Sequence, residues 1–188
     1  MAVVYIDGEK VVFDGEPPAT LGALTDLLMQ VLGQSGRVIS AAAADGVAVQ
    51  ELDASRALAS FDRVEITTLP QAKAERRLCE SVLEVIGPIR ARVEELAVEA
   101  LRKPWPEVVG AFAEAAGTLG AAMENVGALA HIDAVRTAVE AAVAALGRWV
   151  EAVHGGEVAR LALATKDDLA PALGRLAEVL RAVKEARG

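Results

Sequence analysis

Two hydrophobic periodicities divide this chain. Up to residue 69, apolar side chains come in short runs or alternate with polar ones; beyond Pro70 they recur every three or four positions. Val3-Val4-Tyr5-Ile6 and Lys10-Val11-Val12-Phe13 are β-branched or aromatic runs separated by Asp7-Gly8, a dipeptide that tolerates the positive φ angles of a tight hairpin. Pro17-Pro18 then ends any ladder, because proline has no amide to donate. Thr20 is placed to cap a helix that carries Leu21, Leu24, Leu27, Leu28, Val31 and Leu32 at helical spacing, with Gly33 and Gly36 as stops. Residues 37–43 read as a strand, Asp45-Gly46 as a turn and residues 47–49 as a short returning strand. Residues 63–68 alternate apolar and polar and read as the last strand.

From Gln71 the strand signals stop. Leu78, Val82, Val85, Ile89, Val93 and Leu96 step along one helical face, with a kink or break expected at Gly87-Pro88. Pro104-Trp105-Pro106 ends that stretch, and Pro106 suits the first turn of a second helix. A third helix carries Ile132, Val135, Val139, Val143, Leu146, Val150 and Val153 and ends at His154-Gly155-Gly156. Residues 157–164 read as a short helix, and Leu169, Leu173, Leu176, Leu180 and Val183 mark the last one. Thr165 with Asp168 resembles a capping box at its start, although Pro171 argues for a first turn nearer Asp168. Together these predict an up-down bundle of about four long helices over residues 71–188.

The N-terminal order is strand, strand, helix, strand, short strand, strand. With Asp7-Gly8, the helix from Leu21, Asp45-Gly46-Val47 and Asp62-Arg63-Val64-Glu65-Ile66, it resembles the ubiquitin-like β-grasp superfamily, and within it the sulfur-carrier and TGS-type domains. The resemblance covers residues 1–69 and implies one helix on one face of a mixed sheet. Sulfur carriers and ubiquitin-type modifiers act through a free Gly-Gly after the last strand. Leu69-Pro70 stands at that place, and the chain's own end is Ala186-Arg187-Gly188, so carrier chemistry is not expected. TGS-type domains imply a regulatory or interaction module. The expected fold class is α+β: a β-grasp-like domain over residues 1–69, then an all-α helical bundle over 71–188.

Composition sharpens this picture. Hydrophobic residues make up 53% of the chain and aromatics only 3%, so the core is built largely from small side chains that each bury little area. The net charge is −8. Residues 1–70 hold four basic residues against ten acidic ones, a net of −6. Such a surface repels phosphate backbones, so no nucleic-acid partner is expected, and any steering favours a basic protein face. There is no stretch approaching the roughly 20 apolar residues of a membrane helix, and no basic, apolar leader at the N-terminus. The expectation is a cytoplasmic protein with no membrane partner.

No catalytic constellation stands out. Cys79 is the single cysteine, with Arg76 and Arg77 nearby but no histidine close in sequence; a structural thiol is the expected reading. His131 and His154 lie near opposite ends of one helix, about 35 Å apart at 1.5 Å per residue, and cannot share a metal there. No cofactor or metal is expected. Trp105, between prolines, and Trp149, beside an apolar stripe, are candidate interface anchors. Gly117 and Gly120 are candidates for a close-packed seam, within the bundle or across a homo-oligomer, because each mid-helix glycine costs about 1 kcal/mol. The functional expectation is a non-enzymatic interaction or adaptor protein with a protein partner. The alternative is a regulatory subunit that senses a small molecule at the domain junction.

Overall fold

The computed structural model describes residues 2–187, the side chain of Glu51 excepted. Gly188, the residue on which terminal carrier chemistry would fall, lies outside them. The chain divides into two compact units between Ala74 and Glu75, a few residues beyond the boundary expected at Pro70. The architecture is α+β: a five-stranded mixed sheet followed by helices.

In the first unit, β1 (Val3–Ile6), β2 (Glu9–Lys10), α1 (Leu21–Gln34), β3 (Arg37–Ala44), β4 (Val47–Ala48) and β5 (Arg63–Pro70) follow in order. The strands lie as β2-β1-β5-β3-β4. The last strand therefore sits at the centre, parallel to β1 and antiparallel to β3. Its alternation is the expected one: Val64, Ile66 and Thr68 point inward, and Arg63, Glu65 and Thr67 outward. Val64 and Ile66 join Val4 and the α1 leucines Leu21, Leu24, Leu28 and Leu32 in one apolar core. Thr20 caps α1 as expected, its hydroxyl accepting from the Ala23 amide at 3.2 Å.

The second strand is shorter than residues 10–13. Val11 still donates its amide to Val4 at 2.9 Å, but Val12 is 81% exposed as the chain leaves towards Pro17-Pro18. Both edge strands, β2 and β4, are only two residues long. Short edges offer little template for adding a foreign strand.

Both Asp-Gly turns adopt two successive positive φ angles, 51° and 86° at Asp7-Gly8, 50° and 82° at Asp45-Gly46. The two aspartates then reach opposite ends of β5. Asp7 accepts from the Thr68 amide at 2.8 Å and from its hydroxyl at 2.6 Å, and pairs with Arg37 at 2.9 Å. Asp45 accepts from the Arg63 amide at 2.8 Å. The turn residues that fold each hairpin thus also fix the register of the central strand.

The second unit holds most of α2 (Gln71–Ala100), with α3 (Trp105–Gly127), α4 (Asp133–Gly155), α5 (Val158–Leu163) and α6 (Ala170–Ala186). Helix α4 packs against both α3 and α6. Helix α2 runs through Pro88 without the break that was one of the two expected outcomes there, a kink being the other. Glu84, whose carbonyl loses its amide partner to the proline, is exposed, as are Gly87 and Pro88, so water can satisfy it. Helix α4 is turned about its axis relative to the expected stripe. Val143 is 49% exposed, and the buried line runs through Ala142, Ala145, Trp149 and Ala152. One large indole flanked by alanines sets the inward face. The expected cap at Thr165 is absent, because α5 and α6 are joined by a helical segment, Ala164–Leu169, with the wider π spacing. No helix among the described residues is long and apolar enough to cross a membrane.

The Asp7 clamp has a pH signature. Hydrogen bonds from the Thr68 side chain and amide hold the Asp7 carboxyl below its usual 3.8. A depressed carboxyl stabilises the fold above its unfolded pKa, and that contribution is lost as pH falls through the lower folded value. Asp7→Ala is expected to speed exchange of the Thr68 amide at pH 7. Below about pH 3.8 the difference from wild type should shrink, as read by amide hydrogen exchange in NMR.

Candidate functional site

The two tryptophans differ in burial. Trp149 is fully buried, which removes it as an interface anchor. Its Nε1–H donates to the Thr165 hydroxyl at 2.9 Å, and that hydroxyl donates in turn to the Leu161 carbonyl at 2.8 Å. A buried indole N–H needs such an acceptor. Trp105 is the first residue of α3, half-buried and stacked on Phe112 at 5.6 Å; Phe112 then meets Trp149 at 5.4 Å. The three rings form one aromatic column.

Gly117 and Gly120 do not pack against another helix of this chain. A Cβ built on either would meet nothing within 4 Å. Nothing in the chain's own packing explains these glycines. The close approach in the helical unit lies elsewhere, at Gly174 of α6, where a Cβ would sit 3.2 Å from Nη1 of Arg90. The Arg90 guanidinium rests against bare backbone.

That arginine lines a groove between α2 and the α5–α6 segment, with a volume of about 570 Å3. Ala97, Val98 and Leu101 form the α2 wall. Ala162, Ala170 and Pro171 form the other, with Thr165 and Lys166 contributed by the π segment. Val98 is 45% and Leu101 65% exposed, so the groove presents apolar surface to solvent. Arg90 and Glu94 pair at 3.3 Å and also line a second, more polar trough of about 300 Å3 that runs over Gly174 towards Glu178 and Arg181. The π segment is held on both sides: Thr165 by Trp149, and Asp168 by Arg148 at 3.0 Å. Widened helical turns of this kind recur at functional sites.

Sequence reasoning did not single out Arg90, Lys166 or Gly174. The available signal was at the end of α2, where Val98 and Leu101 are apolar yet fall off the inward line through Val93, Leu96 and Ala100. Nothing in the sequence places α6 opposite them.

A second cluster gathers ionisable groups. Glu75 is buried, with 5% of its side chain exposed. Its Oε1 lies 2.9 Å from Nε2 of His131, and its Oε2 lies 2.7 Å from Nε of Arg187. One turn on, Cys79 is fully buried. Burial pushes its thiol above the ordinary range, and the nearby Glu75 carboxylate adds to the shift. A raised thiol pKa suppresses the nucleophilic thiolate, which fits the expected structural role. His154 is exposed in the last turn of α4, before Gly156 in the left-handed conformation. No group of three or more His, Cys, Asp or Glu side chains among the described residues could hold a metal ion.

No protein-family model, curated protein or solved structure matches this chain.

Two measurements check this account. Gly117→Ala and Gly120→Ala should each stabilise the monomer by up to about 1 kcal/mol in chemical denaturation, since the added methyl meets no neighbour and the unfolded chain loses freedom. Loss of stability, or a change in mass, would restore the seam as an interface between copies. Cys79 should react with a disulfide reagent only as fast as the helical unit opens, and quickly once denaturant is added.

Proposed function

We propose that this chain is a non-enzymatic binding protein. Its helical unit takes a small apolar ligand into the groove between α2 and the α5–α6 segment. Its N-terminal unit, read as a β-grasp module, engages a protein partner. The groove is the observation that carries this reading. Its volume of about 570 Å3 falls within the range of small-molecule sites, roughly 300–1,000 Å3, and its walls are apolar with few polar groups at set places. The ligand-sensing alternative drawn from the sequence placed its pocket at the domain junction; here the site lies wholly within the helical unit.

The interaction module is supported by a central parallel pair of strands with one helix on one face. Its opposite face is polar. Arg63 lies 4.5 Å above the Tyr5 ring and pairs with Glu65 at 2.6 Å. Across this unit Glu9, Asp14, Glu16, Asp26 and Asp62 are exposed, which favours a basic partner face. With edge strands of two residues each, the sheet face rather than its edge is the contact surface.

The groove reading is tested with a neutral probe. On titration with 1-naphthol, the amide signals of Val98, Leu101, Ala162 and Ala170 should shift together and saturably. Shifts scattered over the surface, or none, would remove the groove as a ligand site.

A further inference from the structure

We infer that the groove ligand is an amphiphile with one anionic head and an unbranched or lightly branched apolar tail, such as a medium-chain carboxylate. This rests on the ligand-binding reading of the groove given above.

The walls decide the tail. Ala97, Val98, Leu101, Ala162, Ala170 and Pro171 carry no side-chain polar atom, and the Thr165 hydroxyl is already engaged at 2.9 Å by the Trp149 indole and at 2.8 Å by the Leu161 carbonyl. A polar or sugar-like ligand would find no partner along this length and would lose its hydration.

The charges decide the head. The groove is lined by two cations, Arg90 and Lys166, and one anion, Glu94. Arg90 is matched by Glu94 at 3.3 Å. Lys166 has no ion pair among the described residues. One uncompensated positive charge therefore borders an apolar chamber, in a chain whose net charge is −8. A lysine in this setting lays its stem along the apolar wall and keeps its ammonium in water, where it can meet a carboxylate whose chain runs inward.

Arg90 adds a geometric reason. Gly174 leaves room for the guanidinium, 3.2 Å from where a Cβ would stand. The seat holds a planar, multi-donor cation at the point where the apolar groove meets the polar trough with Arg181 and Glu178. A head group at that junction would reach Lys166 or Arg90 while its tail fills the chamber.

The test uses isothermal titration of the full chain with octanoate, decanoate, decanol and decyltrimethylammonium, each kept monomeric. Decanoate is expected to bind more tightly than octanoate, by about fourfold for each added methylene. Decyltrimethylammonium should bind at least tenfold more weakly than decanoate. Lys166→Met, which keeps an apolar stem and removes the charge, should weaken decanoate about three- to fivefold while decanol changes by less than about twofold. Ala162→Trp, at a half-exposed wall position, should abolish binding of both; its circular dichroism checks that the fold survives. Should Ala162→Trp fail to fold, Val98→Trp serves the same purpose. Equal binding of all three decyl compounds would overturn the anionic head while leaving the apolar site intact. No binding by any of them, with the naphthol shifts also absent, would overturn both. A concentration-dependent dimer that decanoate does not dissociate and Ala162→Trp does would assign the groove to a second copy and overturn the proposal.

Discussion

The hydrogen bond from Trp149 to Thr165 organises the helical unit. This core is mostly alanine, valine and leucine, and Trp149 is its largest fully buried side chain. An indole that deep brings an N–H that must be satisfied, and leaving it unpaired would cost about 1–3 kcal/mol. The acceptor is a threonine whose own hydroxyl donates back to Leu161, one turn earlier. The requirement places Thr165 inward on α4, and the turn that carries it has π rather than α spacing. The same turn puts Lys166 and Thr165 on the wall of the groove. Core satisfaction and groove shape are thus one constraint.

The groove also follows from composition. Alanine permits helices to approach but fills little space, and Ala97, Ala162 and Ala170 border the groove of about 570 Å3. A leucine-rich version of the same faces would close it. Phe112, Trp149 and the leucines of α6 belong to one buried core, while the groove walls carry three alanines. The groove here lies where small residues line the helices, not where polar residues are gathered.

Much of the fold was legible because local chemistry and tertiary packing agree. Asp-Gly turns, the Thr20 cap and the alternation of β5 each pointed to the structure that formed, as did the α6 leucines. The errors came where tertiary context overrode local rules. Pro88 was tolerated because it faces water. Val143 lost its place inward to the Trp149 side of α4. Thr165 looked like a cap by spacing, yet its hydroxyl was claimed by an indole 16 residues earlier. The site itself was nearly silent, because Arg90, Gly174 and Lys166 are unremarkable in sequence and acquire meaning only when α2 and α6 are set side by side.

The aromatic residues are distributed in a way that divides the molecule optically. Both tryptophans stand in the helical unit, in the column with Phe112, while the single tyrosine, Tyr5, lies under Arg63 on the sheet. Excitation at the red edge of indole absorption therefore reports the helices alone. Because the column ends on the hydroxyl that backs the groove wall, tryptophan emission is a built-in gauge of what happens there, without any label attached to the chain.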